Sequence, residues 1–95
     1  MKKFIDFEKL SPLSRAINQV LGMESAATPM AADLVIVDSP DKVLHYLQKT
    51  DKKIVQFAYL EGSSMAHLVE DYPDRLRVVA PDLVSLINGI MDLGG

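Results

Sequence analysis

The chain contains no cysteine. That absence excludes disulfides, cysteine zinc sites and thiol catalysis, and it fits a reducing compartment such as the cytoplasm. Basic charge is sparse. Ten Lys and Arg face thirteen Asp and Glu, for a net charge of −3, and no basic run exceeds two residues (Lys2-Lys3, Lys52-Lys53). Nucleic-acid binding needs a basic stripe to offset phosphate charge, so no nucleic-acid partner is expected. No apolar run approaches the roughly 18 residues of a membrane span, so no membrane partner is expected either. The opening MKKFIDFEKL sets acidic residues close behind its first two lysines, unlike a signal peptide. There is no internal repeat, no GxSxG around a serine, and no HxxxH spacing.

What remains is the composition of one small globular domain over residues 1–95, with 48% hydrophobic residues. A chain this short buries only about two-thirds of its unfolded surface, so its stability margin is thin. Four strand–helix units follow one another. The strand candidates are residues 3–7 (KFIDF), 33–38 (DLVIVD), 53–60 (KIVQFAYL) and 75–80 (RLRVVA). The unbroken Leu34-Val35-Ile36-Val37 is the pattern of a strand buried on both faces. The alternation at one end of 75–80 suits an edge. Helices start at Ser11-Pro12, Ser39-Pro40, the Gly62-Ser63-Ser64 turn and Pro81-Asp82, where capping side chains or an N-terminal proline favour initiation. The last helix carries Leu83, Leu86, Ile87, Ile90 and Met91 on its apolar stripe, and the methionines read as core filler. Residues 23–32 (MESAATPMAA) read as a linker.

Strands alternating with helices predict a parallel α/β sheet with right-handed crossovers, and ligands of such sheets bind at the strands' carboxyl-end rim. That rim is expected to carry Asp6, Glu8, Asp38, Ser39, residues 61–64 and residues 80–82.

From residue 33 to the C-terminus, the order DLVIVDSP, helix, IVQFAYLEG, helix, RLRVVAPDLVSLINGI resembles the receiver domain of bacterial response regulators. The resemblance implies a flavodoxin-like fold. It puts Asp38 at the phosphoacceptor position and Asp6 and Glu8 at the place of the family's metal-holding acidic pair, here spaced one apart rather than adjacent. The family's strand-end Ser or Thr falls on Ala58 or Tyr59, and its Lys before Pro falls on Ala80. The groups that would neutralise and read an aspartyl phosphate are therefore missing.

The linker also stands where a receiver has a full strand and helix. The expectation is thus a four-stranded parallel sheet, one strand–helix unit short. With strands in chain order, three crossover helices share one face and the other is left largely open, which points to a homodimer or a protein partner. Placing the first strand centrally, in the order 2-1-3-4, would instead distribute the helices over both faces.

The candidate sites have plainer readings beside them. Asp38 is also placed to cap the following helix. Gly62, Ser63 and Ser64 form a candidate anion site at a helix N-terminus, or an ordinary cap without the Lys of a phosphate loop. His45 and His67 read as surface residues.

The functional expectation is a non-catalytic, receiver-like interaction module in bacterial signalling, with no cofactor. It would dock through the last strand and helix, at Arg75, Arg77, Leu83, Leu86 and Ile90. The alternative is a small-ligand or phosphate-binding domain that uses the carboxyl-end rim.

Overall fold

Leu34–Val37 is the centre of the molecule: all four side chains are buried, those of Leu34 and Ile36 against one helical layer and those of Val35 and Val37 against the other. This computed structural model describes residues 2–8, 11–22, 24–57 and 66–93. In chain order the elements are β1 (Lys2–Asp6), α1 (Ser11–Leu21), β2 (Glu24–Ser25), a 3-10 turn (Pro29–Ala31), β3 (Leu34–Val37), α2 (Pro40–Lys49), β4 (Lys53–Phe57), α3 (Ala66–Asp71), β5 (Leu76–Val79) and α4 (Leu83–Asp92). All strand pairs are parallel, and the order across the sheet is β2-β1-β3-β4-β5. This is the flavodoxin-like, doubly wound arrangement.

Among the described residues the sheet has five strands rather than the four expected. The additional strand comes from the linker. Glu24 and Ser25 pair with Lys2 and Lys3, and Ala26 N–H donates to the Lys3 carbonyl at 2.8 Å. The 3-10 turn that follows, capped by Thr28 and opened by Pro29, stands in place of a helix. The strand–helix unit is therefore shrunken, not missing.

That detour also settles the helix layers. The chain moves outward from β1 to β2 and then back over β1 to β3. A right-handed crossover outward lies on the opposite face from right-handed crossovers in the other direction. Accordingly α1 and α4 cover one face, and α2 and α3 cover the other. The uncovered face that argued for a homodimer does not exist.

On the first face Ile17 of α1 and Leu86, Ile90 and Leu93 of α4 and its end pack on Leu34, Ile36, Val55 and Phe57. On the second, Val43, Tyr46 and Leu47 of α2, with Val69 of α3 at the edge, pack on Val35, Val37, Ile54 and Leu76. Helix entry follows the capping residues. Ser39 Oγ accepts from Lys42 N–H at 3.4 Å, and Asp82 Oδ1 accepts from Ser85 N–H at 2.8 Å. Gly89 lets α4 lie close on β5, since a Cβ there would stand 2.8 Å from Val79 Cγ1. Among the described residues no helix is long and apolar enough to cross a membrane.

Candidate functional site at the carboxyl-end rim

Asp6 is the last residue of β1 and pairs with Val37, the last of β3; Asp38 follows directly. Strand register sets Asp6, Val37, Gln56 and Val78 in one row across the sheet, facing α2 and α3. Because Ser39 caps α2 just beyond β3, the first turns of α2 lean over this row. Lys42 and Tyr46 lie four residues apart on α2, one above the other on a single helix face. Both reach Asp6. Lys42 Nζ donates to Asp6 Oδ1 at 2.5 Å, and Tyr46 Oη donates to Oδ2 at 2.6 Å. Lys42 Nζ also stands 3.8 Å from Glu8 Oε1. The two oxygens of Asp38 accept the Glu8 N–H at 2.9 and 3.0 Å, which stitches the segment after β1 to the end of β3.

The protonation states follow from these partners. Burial pushes the Asp6 carboxyl up, but the bonds from Lys42 and Tyr46 and the Lys42 charge outweigh it, so Asp6 titrates below its ordinary value. The bond to Asp6 raises the Lys42 ammonium above its ordinary value. Burial opposes this, and the charges of Asp6, Glu8 and Asp38 reinforce it. Burial, then the bond to Asp6, pushes the Tyr46 phenol upward. At neutral pH the rim thus holds an ionised Asp6, a charged Lys42 and a protonated Tyr46. None of the three is a ready general base or nucleophile.

The metal implied at Asp6 and Glu8 does not fit this arrangement. Each Asp6 oxygen already faces a donor, and among the described residues no group of three or more His, Asp or Glu side chains is arranged to hold a metal ion. Asp38 directly follows Val37, the last residue of the central strand β3. Gly62, Ser63 and Ser64, and also Ala58 and Tyr59, lie outside the described residues.

The expected docking residues divide. Leu86 and Ile90 are buried in the core beneath α4, and Leu83 is half-buried against the same core, so these three do not form an outward surface. Arg75 is a staple: its guanidinium donates to the carbonyls of Leu47, Thr50 and Lys52 at 2.7–3.5 Å and holds the turn between α2 and β4. Arg77 Nη1 donates to the Pro73 and Leu76 carbonyls at 2.5 and 2.8 Å. The Arg75 carbonyl accepts from Ile54 on β4, so the Leu76 carbonyl points to the open edge of β5. Arg77 therefore covers that edge with charge, as edge strands commonly require.

Besides Asn88 and Asp92, α4 exposes Val84 and Met91; Met30 is exposed as well, so neither methionine is core filler. Sequence reasoning also passed over Lys42, Tyr46 and Gln56. The signal available for the first two was their i, i+4 spacing just after a strand ending in Asp.

A wide cleft of about 420 Å³ lies at the opposite, amino end of the strands, lined by Asp33, Asp51, Lys52 and Lys53. Two of its four charged side chains have partners of their own: Asp33 accepts the Lys2 N–H, and Lys53 donates to the Leu93 carbonyl. The rim remains the place where chemistry-bearing side chains converge. No protein-family model, curated protein or solved structure matches this chain.

Proposed function

We propose that this chain is a non-catalytic, receiver-like interaction module of bacterial signal transduction, cytoplasmic, which docks a protein partner or a second copy through the outer face of α4. One observation carries the reading. Val84 and Met91 are 70% and 66% exposed, seven residues apart on the same side of α4, with the half-buried Ile87 and the exposed, uncharged Asn88 between them. The ten residues of α4 hold no charge before Asp92, the last. Outward helix faces on soluble monomers are normally charged or polar, and contiguous exposed apolar residues mark interaction sites. The rim supports the non-catalytic half of the reading, because its acid, its cation and its phenol hold one another.

The test is a photoactivatable cross-linker placed at position 84 in living cells, with position 20 on α1 as the control. Val20 is 52% exposed on the other helix of the same face. A defined adduct from position 84 and none from position 20 is expected; equal labelling, or none, ends the docking reading. Acetyl phosphate with Mg²⁺ should leave the mass of the protein unchanged. A stable adduct abolished by Asp38→Ala would overturn the non-catalytic reading.

A second reading, a small-ligand domain using the rim, is favoured by Gln56. This side chain is 2% exposed near the end of β4, and its Oε1 has no hydrogen-bond partner among the described residues. A buried acceptor of this kind calls for a donor, so it suits a ligand bearing N–H or O–H better than a bare anion. Thermal-shift screening with nucleosides and amines is the check, since a ligand that binds only the folded state must raise Tm.

A further inference from the structure

We propose that the Gln56 acceptor takes an uncharged nucleobase, free or as a nucleoside, read along one edge by the Gln56 carboxamide. This deepens the small-ligand reading above and rests on it; it is independent of the α4 docking face.

Three observations select that ligand. First, the carboxamide of Gln56 is unmatched as a whole group. Its Oε1 is buried without a partner, and its amide nitrogen donates to no group among the described residues. A carboxamide sets an acceptor and a donor side by side. A simple amine would answer the acceptor and strand the donor beside it, and a group left unpaired in a buried site lowers affinity. A ligand with a donor and an acceptor adjacent on one edge answers both.

Second, the surroundings of Gln56 are apolar. Val37 and Val78 stand beside it in register on the two neighbouring strands, and Ile54, two residues earlier on the same face, is fully buried. Asp6, the other polar member of the row, lies two strands away and holds Lys42 and Tyr46. The edge that Gln56 reads therefore belongs on a flat, largely apolar body. A nucleobase combines the two, and glutamine pairs with adenine through two such bonds. Third, charge argues against a phosphate. Asp6, Glu8 and Asp38 share this end of the sheet, and the chain as a whole carries a charge of −3. Negative potential repels phosphate, so the ligand is a base or nucleoside rather than a nucleotide or a nucleic-acid strand.

The experiment titrates the whole chain with adenosine, guanosine, cytidine and uridine, and with ethylamine as a probe that carries no such edge. The readouts are Tm and the side-chain amide signal of Gln56 in nitrogen-15 NMR, assigned by its loss in Gln56→Met. At least one nucleoside should raise Tm and shift that signal. Q56M should not bind it. The same nucleoside alkylated at its donor nitrogen should bind at least about tenfold more weakly, a comparison that depends on no variant. If ethylamine acts through Gln56 and no nucleoside does, the nucleobase is wrong and the small-ligand reading stands. If no probe acts, both fall. Nucleoside binding that survives Q56M, or that is indifferent to the alkylation, overturns the inference, because the Gln56 edge is then not what is read.

Discussion

The Tyr46 hydroxyl donates to Asp6 Oδ2 at 2.6 Å across 40 residues of sequence, joining α2 to the end of β1. Tyr46 is otherwise part of the apolar layer formed with Val43, Leu47, Val35 and Val37. It therefore holds a charged group at the sheet's end while its ring packs inside. Tyr46→Phe keeps the ring and deletes only the donor. Hydrogen bonds to charged groups contribute about 1.5–3 kcal/mol, so the variant should lose about 1.5 kcal/mol in urea denaturation. It should also raise the Asp6 pKa measured by carboxyl NMR titration. An unchanged Asp6 titration would remove Tyr46 from the rim.

The same network fixes how stability depends on pH. Asp6 has its folded pKa below the unfolded value, so its contribution is present above the unfolded pKa and is lost as pH falls through the folded one. The acid limb therefore lies below about pH 4. Lys42 and Tyr46 are raised, so theirs is fully present below their unfolded values and is lost as pH rises through the folded ones, above about pH 10. Asp6→Asn should flatten the acid limb in a Tm-against-pH series. A series in which wild type and D6N run parallel below pH 4 would contradict this assignment.

Gln56 sets a cost against the fold. An unsatisfied buried acceptor costs on the order of 1–3 kcal/mol, and replacing it with an apolar group of similar shape removes that penalty. Gln56→Met should raise stability by about 1 kcal/mol, seen as an increase in Tm of several degrees for a domain of this size. If the variant is less stable than wild type, the acceptor is satisfied in solution, for instance by a buried water.

Close approach of α4 to β5 depends on Gly89. Alanine is the better helix former by about 1 kcal/mol. Its Cβ would nonetheless stand 2.8 Å from Val79 Cγ1, and that contact has to open. Overpacking of this kind costs about 1–3 kcal/mol, so Gly89→Ala should be destabilising despite its propensity. Val79→Ala makes room, so in a double-mutant cycle the loss from G89A should shrink or reverse in that background. Additive losses would place the strain elsewhere.

The architecture was legible where physics is local. Leu34–Val37 announced a doubly buried strand because four apolar residues in a row leave no solvent face. Ser39, Pro40 and Asp82 announced helix starts because the cap is a contact within three residues. The edge character of β5 followed from Arg75 and Arg77. Glu24–Ser25 stayed hidden because a two-residue strand has no period, and with it went the strand count and the layer assignment of α1. The rim was legible only as strand ends. Its central pair, Lys42 and Asp6, is separated by 36 residues, and no local pattern encodes that meeting. On α4 the difficulty was phase. Leu83, Val84, Leu86, Ile87, Ile90 and Met91 surround the helix without a charged marker, so the sequence did not separate the face that packs from the face that projects.

That phase is the most direct thing to measure, because the two faces of α4 call for opposite outcomes. Leu86 is fully buried in the core with Leu34, Ile36 and Val55. Leu86→Ala leaves a cavity there and should cost about 2–5 kcal/mol, a large share of the margin of a domain this small. Val84 and Met91 project outward, so Val84→Glu with Met91→Glu should change folding stability by no more than about 0.5 kcal/mol. The double variant should nonetheless abolish the adduct captured from a cross-linker at position 87, because two charges would be buried without partners in any interface formed there. If the Glu pair destabilises the fold as much as L86A, α4 is rotated from the orientation described and the outer stripe belongs to the core. If the pair is neutral for both folding and cross-linking, the stripe is solvent surface and the docking face lies elsewhere.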